Sequence, residues 1–410
     1  MKYIYAHLIS GVSMLLMLAP VSSAPLTLQQ AWVLAEQHSP SLKVARNQAE
    51  GAQAALETAS AYPNPDVEFG AGTSHLLPPS AQTGRNSAMS ISQPLEFPGL
   101  RSARQRAAQA GITSGAALLD DARVNLYAQL KLAFFEVLRR QDEATLTAEN
   151  HALLLQIRNR VKLRVEVGES PRYELVKSDA ESLTAENAAK TAELRVVQAK
   201  DRLRVLLGAP LDDQFEIVHV MPKISEPPEL SVLRAELLQS QPLLKAAIAE
   251  SERAEAKLEQ ERSLRIPQPT LKWGAERHPD VNLWRVSVAM PLPLWNQRAG
   301  PVGEAHANRE RALAEQERIR LGLLGELDQA YGRYQIARRQ MNVFEKGLMR
   351  DAESALKVAE AAYRYGERGI LDYLDAQRVY RSTRMDYLNA RYELQFALVD
   401  IERLRAGEPK

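Results

Sequence analysis

Cysteine is absent from the sequence of 410 residues. Its absence excludes disulfide bonds, thiolate zinc sites, a cysteine nucleophile and a lipid-modified cysteine at the N-terminus. The seven histidines are scattered, and the chain has no His-Glu-x-x-His motif, phosphate-binding loop or nucleophile elbow. We therefore expect no enzymatic activity, no cofactor and no dedicated metal site.

An excess of either charge is also absent, because the sequence has 52 Lys and Arg residues and 51 Asp and Glu residues. No long basic block occurs, so the sequence has no electrostatic pattern that favours nucleic acid or an anionic lipid surface as a partner. After the first 24 residues, no apolar stretch approaches the ~18 residues that a membrane-spanning helix requires. We expect no transmembrane helix.

The N-terminus has the pattern of an export signal. Lys2 precedes an apolar run over residues 8–18, and Pro20 and small residues follow up to Ala24. We expect residues 1–24 to be removed, with a membrane anchor as the alternative. An exported chain without a transmembrane helix is periplasmic, secreted or a β-barrel.

Proline is scarce over long stretches, because twelve of the 22 prolines lie within two windows, 62–98 and 267–301. Between the windows, apolar residues recur at spacings of three and four, which predicts long coiled-coil helices. A continuous helix over 99–166 would extend about 100 Å at ~1.5 Å per residue, so we predict an elongated architecture.

The two halves of the chain repeat each other. The Pro-x-Pro pattern at Pro63 recurs at Pro267, and the glycine that follows a long helix at Gly168 recurs at Gly366. The duplication predicts repeat 1 over 25–212, a linker over 213–228 and repeat 2 over 229–410. In repeat 1 we expect helices over about 27–61, strands over 65–95, a long helix over 99–166 and a helix over 171–207. In repeat 2 we expect helices over about 229–264, strands over 268–292, a long helix over 300–364 and a helix over 370–405.

Inside each proline window the apolar period changes from about 3.6 to 2 residues, which predicts a β-hairpin with one apolar and one polar face. Strands of about nine or ten residues suit a tilted crossing of a bilayer. Four strands cannot close a barrel, so several copies of the chain must pool their strands. A soluble four-stranded sandwich with the tryptophans in its core is the alternative.

In a barrel, each face of the hairpins has a distinct role. We expect the apolar face and the strand ends to supply an aromatic girdle, formed by Phe97, Trp273, Trp284 and Trp295. We expect the polar face to supply lumen-facing residues, namely Glu68, Lys272, Glu276 and Arg285. His75 and His278 fall in the expected hairpin loops, where a metal contact and ordinary exposure are both open.

Residues 362–376, together with the segment 389–392, carry a resemblance to a known family. Over nearly all of its length after residue 24, the chain resembles the TolC-like outer-membrane efflux family. The resemblance implies a mainly α fold with a membrane β-barrel, in which three protomers contribute four strands each to a 12-stranded barrel that an α-helical periplasmic tunnel continues. The segments 93–101 and 291–298 are similar to the CzcC-type branch, which serves heavy-metal cation efflux.

The resemblance also implies a function and a location. We expect a homotrimeric channel in the lipid of a Gram-negative outer membrane, with a long periplasmic extension. It would be the passive exit duct of a tripartite efflux system, joined to a periplasmic adaptor protein and an inner-membrane RND-type pump. Two alternatives stay open, which are a duct for drugs, organic compounds or secreted polypeptides, and a secreted coiled-coil structural protein.

The expected functional site is the periplasmic tip of the helices. Asp372 and Asp375 lie on one helical face and match the acidic ring of the family's tunnel entrance, although solvated acids at a helix N-terminus are the alternative. By the same resemblance, Tyr363 and Arg368 match residues that tie the entrance shut, and Glu174 matches a partner carboxylate. The ordinary interpretation of these three is that they are surface side chains. The tips that contain Gly168, Pro171, Gly366 and Gly369 are expected to dock onto the adaptor.

Overall fold

The computed structural model describes residues 25–74, 84–209, 215–221 and 225–407. The expected export signal over 1–24 and His75 lie outside these residues. The first half contains α1 (Leu28–His38), α2 (Pro40–Ser60), β1 (Asp66–Ser74), β2 (Gly84–Pro94), α3 (Pro98–Glu166) and α4 (Arg172–Leu207). The second half contains α5 (Leu230–Ser240), α6 (Pro242–Ser263), β3 (Thr270–Arg277), β4 (Asn282–Ala289), α7 (Ala299–Val343), a π-helical segment (Phe344–Leu348), α8 (Met349–Arg364) and α9 (Ile370–Leu404).

The helices begin where the sequence permits a start. Proline occupies the first helical position of α2, α3 and α6. A backbone N–H at this position would have no acceptor within the helix, so its absence in proline costs no hydrogen bond. α3 then runs for 69 residues without a break, which corresponds to roughly 100 Å. Among the described residues, no helix combines the length and the apolar character that crossing a bilayer demands.

The second long helix differs from the continuous helix expected over 300–364. It is interrupted by the π-helical segment, in which Gly347 has a φ of 126°. Side chains with a Cβ rarely adopt this conformation, so glycine is the residue that permits the irregular turn. α7 and α8 are therefore separate helices.

The four strands form a single antiparallel sheet in the order β1-β2-β3-β4. The pairing of β2 with β3 joins the two halves of the chain. The soluble sandwich is wrong, because the strands form one sheet rather than two packed sheets. Within the described chain, β1 and β4 each have a partner on one side only.

The register gives the sheet two chemically different faces. Phe69 pairs with Met89, Met89 with Ala275, and Ala275 with Trp284, and cross-strand partners point to the same face. One face, which we call the apolar face, carries Val67, Phe69, Ala71, Met89, Ile91, Leu271, Trp273, Ala275, Trp284, Val286 and Val288, with Ser87, Arg277 and Asn282 toward the hairpin ends. It is uncovered, with Phe69 75% and Trp284 77% exposed.

In the part of the chain that the structure describes, three apolar clusters hold the helices together, and α9 contributes to all of them. The first joins α1, α2, α3, α4 and α9 to Phe215 and Ile217 of the linker between the halves. The second joins α5, α6, α7 and α9. The third, which we call the tip cluster, comprises Leu154, Ile157, Val161, Ala185, Ile370, Tyr373 and Leu374.

A buried tyrosine ties α9 to α3 and to the linker. Tyr392 is fully buried, and its hydroxyl donates a hydrogen bond of 2.7 Å to Oδ2 of Asp142. His219 Nε2, on the linker, lies 2.7 Å from the other carboxylate oxygen. Burial raises the pKa of Tyr392, and the hydrogen bond to Asp142 raises it further.

Replacing this tyrosine tests the tie. We expect Tyr392→Phe to lower the free energy of unfolding by about 1–2 kcal/mol, because a part-buried carboxylate oxygen loses its donor. Because the pKa of Tyr392 is higher in the folded than in the unfolded protein, its contribution to the free energy of unfolding is complete below pH 10. This contribution is lost as the pH rises above 10.0, the ordinary pKa of tyrosine, at which the unfolded chain ionises. Tyr392→Phe should therefore lose less stability than the wild type when the pH is raised above 10. Thermal unfolding followed by circular dichroism in detergent checks both, with Tyr365→Phe as the exposed control; equal losses in both variants would contradict the tie.

Candidate functional site at the helical tips

The α3–α4 turn and the α8–α9 turn have the same backbone structure. In each, the glycine N–H donates to the carbonyl three residues earlier, and the next two residues both donate to one carbonyl of the preceding helix. Gly168 and Gly366 adopt φ values of 79° and 75°, which close the helix in the manner of a Schellman cap. The two tips are backbone equivalents with different side chains.

Of the two glycines in the second tip, only Gly366 has a backbone conformation that requires glycine. Gly369 caps α9 with a φ of −74°, as Pro171 caps α4 with a φ of −71°. Any residue adopts that extended conformation. The structural demand for glycine at the second tip therefore rests on Gly366.

Tyr363 connects three helices at the tip. Its ring stacks on that of Tyr373 in α9, with centroids 5.8 Å apart and an interplanar angle of 8°. The guanidinium of Arg164, in the last turn of α3, lies 5.5 Å from the centroid of the Tyr363 ring. The Tyr363 hydroxyl is buried and, within the described part of the chain, has no hydrogen-bond partner.

Tyr373 is the buried half of this stack. It is 6% exposed and belongs to the tip cluster. Burial raises the pKa of Tyr373, and the nearby carboxylate of Glu360 raises it further, so the phenol stays protonated at neutral pH. Sequence reasoning missed Arg164 and Tyr373. The available signal was their position, because Arg164 lies four residues before Gly168 and Tyr373 lies four residues after Gly369.

The expected tie between Arg368 and Glu174 is not formed within one chain. Arg368 Nη1 lies 3.4 Å from Oδ2 of Asp372, and among the described residues no ion pair joins Arg368 to Glu174. Arg368 and Asp372 are four residues apart at the start of α9, so the nearest carboxylate is a local one. The contact between Arg368 and Glu174 therefore stays a prediction.

Asp372 and Asp375 are both exposed at the start of α9. Each has an arginine of its own segment as a partner, because Arg368 contacts Asp372 and Arg378 contacts Asp375. The sequence interpretation placed the two carboxylates on one helical face but did not include Arg378. The acidic pair therefore carries less net charge than the carboxylates alone would give.

Exposed apolar side chains surround both tips. They are Leu163, Val167, Tyr173 and Val176 at the first tip, and Tyr365 and Leu371 at the second. Clusters of exposed apolar groups are typical of protein interaction sites.

The candidate barrel residues divide between the sheet and its base. The register places Trp273 and Trp284 on the apolar face, and it places Glu68, Lys272, Glu276 and Arg285 on the opposite face. Phe97 caps α3, and Trp295 lies between β4 and α7, so neither is part of a strand.

His278 lies beside Glu276 at the end of β3. Its Nε2 is 3.4 Å from Oε2 of Glu276. In the part of the chain that the structure describes, no three His, Asp or Glu side chains are grouped so as to hold a metal ion.

The family model for the outer membrane efflux protein matches residues 32–209 and 233–407 of this chain. The chain belongs to this family. An outer membrane efflux protein is a channel of the outer membrane, so the alternative of a secreted coiled-coil structural protein is wrong. The two matched segments correspond to the two halves of the fold.

Known relatives of this outer membrane efflux protein cover nearly its whole length. The cobalt-zinc-cadmium resistance protein CzcC of Cupriavidus metallidurans is 26% identical over 397 residues, which are 96% of this chain and 93% of CzcC. The CmeC outer membrane channel of Campylobacter jejuni aligns with a TM-score of 0.81 at 18% identity, over 93% of this chain and 85% of that chain. For VceC of Vibrio cholerae the TM-score is 0.80 at 18% identity, over 93% and 97%. The structural likenesses show the fold.

A pair of glycine substitutions tests the tip geometry. Gly366→Ala should destabilise the tip by about 1–2 kcal/mol, because an L side chain is strained at positive φ, although the site has space for a Cβ. Gly369→Ala is the matched control, since it has the same space and an ordinary φ. Hydrogen exchange of the amides over 360–375 should accelerate in the first variant only. Equal exchange in both variants would contradict the assigned role of Gly366.

Proposed function

We propose that this protein is the homotrimeric outer-membrane duct of a tripartite system that exports divalent heavy-metal cations. The observation that carries the metal assignment is the similarity to a cobalt-zinc-cadmium resistance protein over 96% of the chain. Within the proposal, the duct is passive, and the choice of substrate lies with an inner-membrane RND-type pump.

The sheet edges support a homotrimer. The outer sides of β1 and β4 have no strand partner within the described chain, and unpaired backbone N–H and C=O groups are not tolerated in lipid. Pairing β4 of one copy with β1 of the next removes both edges. Three copies with four strands each give twelve strands, an even number that closes a membrane barrel.

An exposed stripe on α4 supports the same association. Val176, Leu183, Leu194, Val197 and Val205 are all exposed although the other side of α4 is packed against α3. A second copy that covers this stripe would remove its apolar side chains from water. The barrel and the helical tunnel would then close together.

The acidic tip residues suit a cation entrance. Three copies would bring two carboxylates each, Asp372 and Asp375, to one opening. Rings of acidic side chains favour cations at a pore mouth. Tyr363 and Arg368 would tie neighbouring tips, with a contact from Arg368 to Glu174 proposed between copies.

The tips would receive a periplasmic adaptor protein. Gly168, Pro171, Gly366 and Gly369 shape two turns that project at the end of the helices, and exposed apolar side chains flank both turns. This combination of a rigid turn and uncovered apolar groups supports docking at the tips.

Deletion of the gene tests the substrate. We expect sensitivity to cobalt, zinc or cadmium ions to increase, and a plasmid copy to restore growth. A panel of dyes, detergents and organic compounds serves as the comparison, because sensitivity confined to that panel would support the alternative duct for organic compounds. Unchanged growth on every metal would contradict the metal assignment.

Removing the tip carboxylates tests the entrance. The double substitution Asp372→Asn and Asp375→Asn should lower the permeability of cations relative to anions, because it removes six negative charges from the trimer. The reversal potential across a planar bilayer under a KCl gradient measures this ratio. Asp351→Asn, which removes an exposed acid from α8, is the control. If both proteins show the wild-type reversal potential, the acidic ring does not select ions.

A further inference from the structure

A cleft at the base of the sheet has features that the proposed duct does not use. It has a volume of about 420 Å³ and lies where α6 ends, β3 begins and β4 leads into α7. Arg265 and Arg298 line it together with Leu292 and Trp295. The strands meet the helices at this end, so in the proposed duct the cleft is at the periplasmic boundary of the membrane.

Arg298 is held in an unusual conformation beside the cleft. Its φ is 59°, a left-handed value that is strained for a residue with a side chain. The side-chain oxygen of Asn296 stabilises it by accepting the Arg298 backbone N–H at 3.0 Å. One guanidinium nitrogen donates to Glu261 at 2.5 Å, while the Nε–H is buried and, among the described residues, has no acceptor.

Arg265 supplies a second cationic group. It is exposed in the short segment between α6 and β3, and no ion pair with a described carboxylate involves it. The cleft therefore offers the unpaired guanidinium of Arg265 and the guanidinium of Arg298, which is partly exposed although Glu261 accepts a hydrogen bond from it. An anionic oxygen group is the ligand chemistry that complements both.

The rest of the cleft is apolar and conformationally restricted. Leu292 is exposed, and Trp295 is 93% exposed, beyond the end of β4. Pro267, Pro291 and Pro293 also line the cleft, and each fixes its own φ. These apolar groups continue along the chain from the apolar face of β3 and β4, so a hydrocarbon chain on that face would extend to the cleft.

We propose that this cleft binds a phospholipid of the periplasmic leaflet, with its phosphate on Arg265 and Arg298 and an acyl chain along Leu292 and Trp295. The proposal rests on the proposed function, because it requires the sheet to lie in a membrane. It is a local site and needs no excess of positive charge over the whole chain. A phosphate beside two guanidinium groups and a tryptophan at the interface fits the general chemistry of membrane boundaries.

The first test measures lipid retention. The purified trimer is exchanged into detergent that contains phosphatidylethanolamine, and native mass spectrometry counts the bound lipids as the lipid concentration is varied. Arg265→Gln should weaken binding about fivefold to tenfold, because it removes one charge-assisted contact. Arg262→Gln is the matched control, since Arg262 lies on the last turn of α6 but does not line the cleft. Equal binding by the two variants would overturn the proposal.

The second test locates the acyl chain and separates this proposal from the proposed function. Brominated phospholipids quench nearby tryptophans, and the difference between wild type and Trp295→Phe isolates the signal of Trp295. The same comparison with Trp284→Phe isolates a tryptophan of the apolar face. We expect both signals to be quenched. Quenching of Trp284 alone would overturn the lipid site, whereas quenching of neither would overturn the membrane placement.

Discussion

The need of every backbone N–H and C=O group for a hydrogen-bond partner is the constraint on which this structure depends. The helices satisfy it internally except at their ends, and the described sheet satisfies it everywhere except along the outer sides of β1 and β4. An apolar face that is exposed next to two open edges has no stable environment in a single chain. The proposed barrel supplies both missing environments, lipid for the face and neighbouring strands for the edges.

α9 connects the helical tip, the middle of the helices and the linker. It contributes to each of the three apolar clusters, and Tyr392 joins it to Asp142 of α3 and, through that carboxylate, to His219 of the linker. Near its start, Tyr373 stacks on Tyr363 and so brings the second tip against the end of α3. One helix therefore links the tip to the middle of the molecule, and the contacts with the linker and the tip are polar or aromatic as well as apolar.

Much of the fold was predictable because local periodicity determines it. The change from a period of about 3.6 to one of 2 locates the strands and assigns Trp284 and Arg285 to opposite faces. The π-helical segment was not predictable, because α7 contains other glycines, such as Gly325 and Gly332, that remain helical. The partners of Arg368 and Tyr363 were not predictable either, since they depend on which side chains the turns and the helix packing bring within reach. The family resemblance predicted which residues lie at the tip, whereas the contacts between their side chains could be identified only from the structure.

The π-helical segment also affects the direction in which the side chains of α8 point. Gly347 has a φ of 126°, which is far from α-helical, so the chain kinks there and the side chains of α8 point in other directions than a straight continuation of α7 would give them. α7 packs against both α6 and α9, whereas α8 packs mainly against α9. Leu356, Ala359 and Tyr363, which follow this kink, pack against the tip cluster. An unbroken α-helix of the same sequence would point these side chains in a different direction, so a single irregular turn aligns the aromatic contact about four helical turns further along the chain.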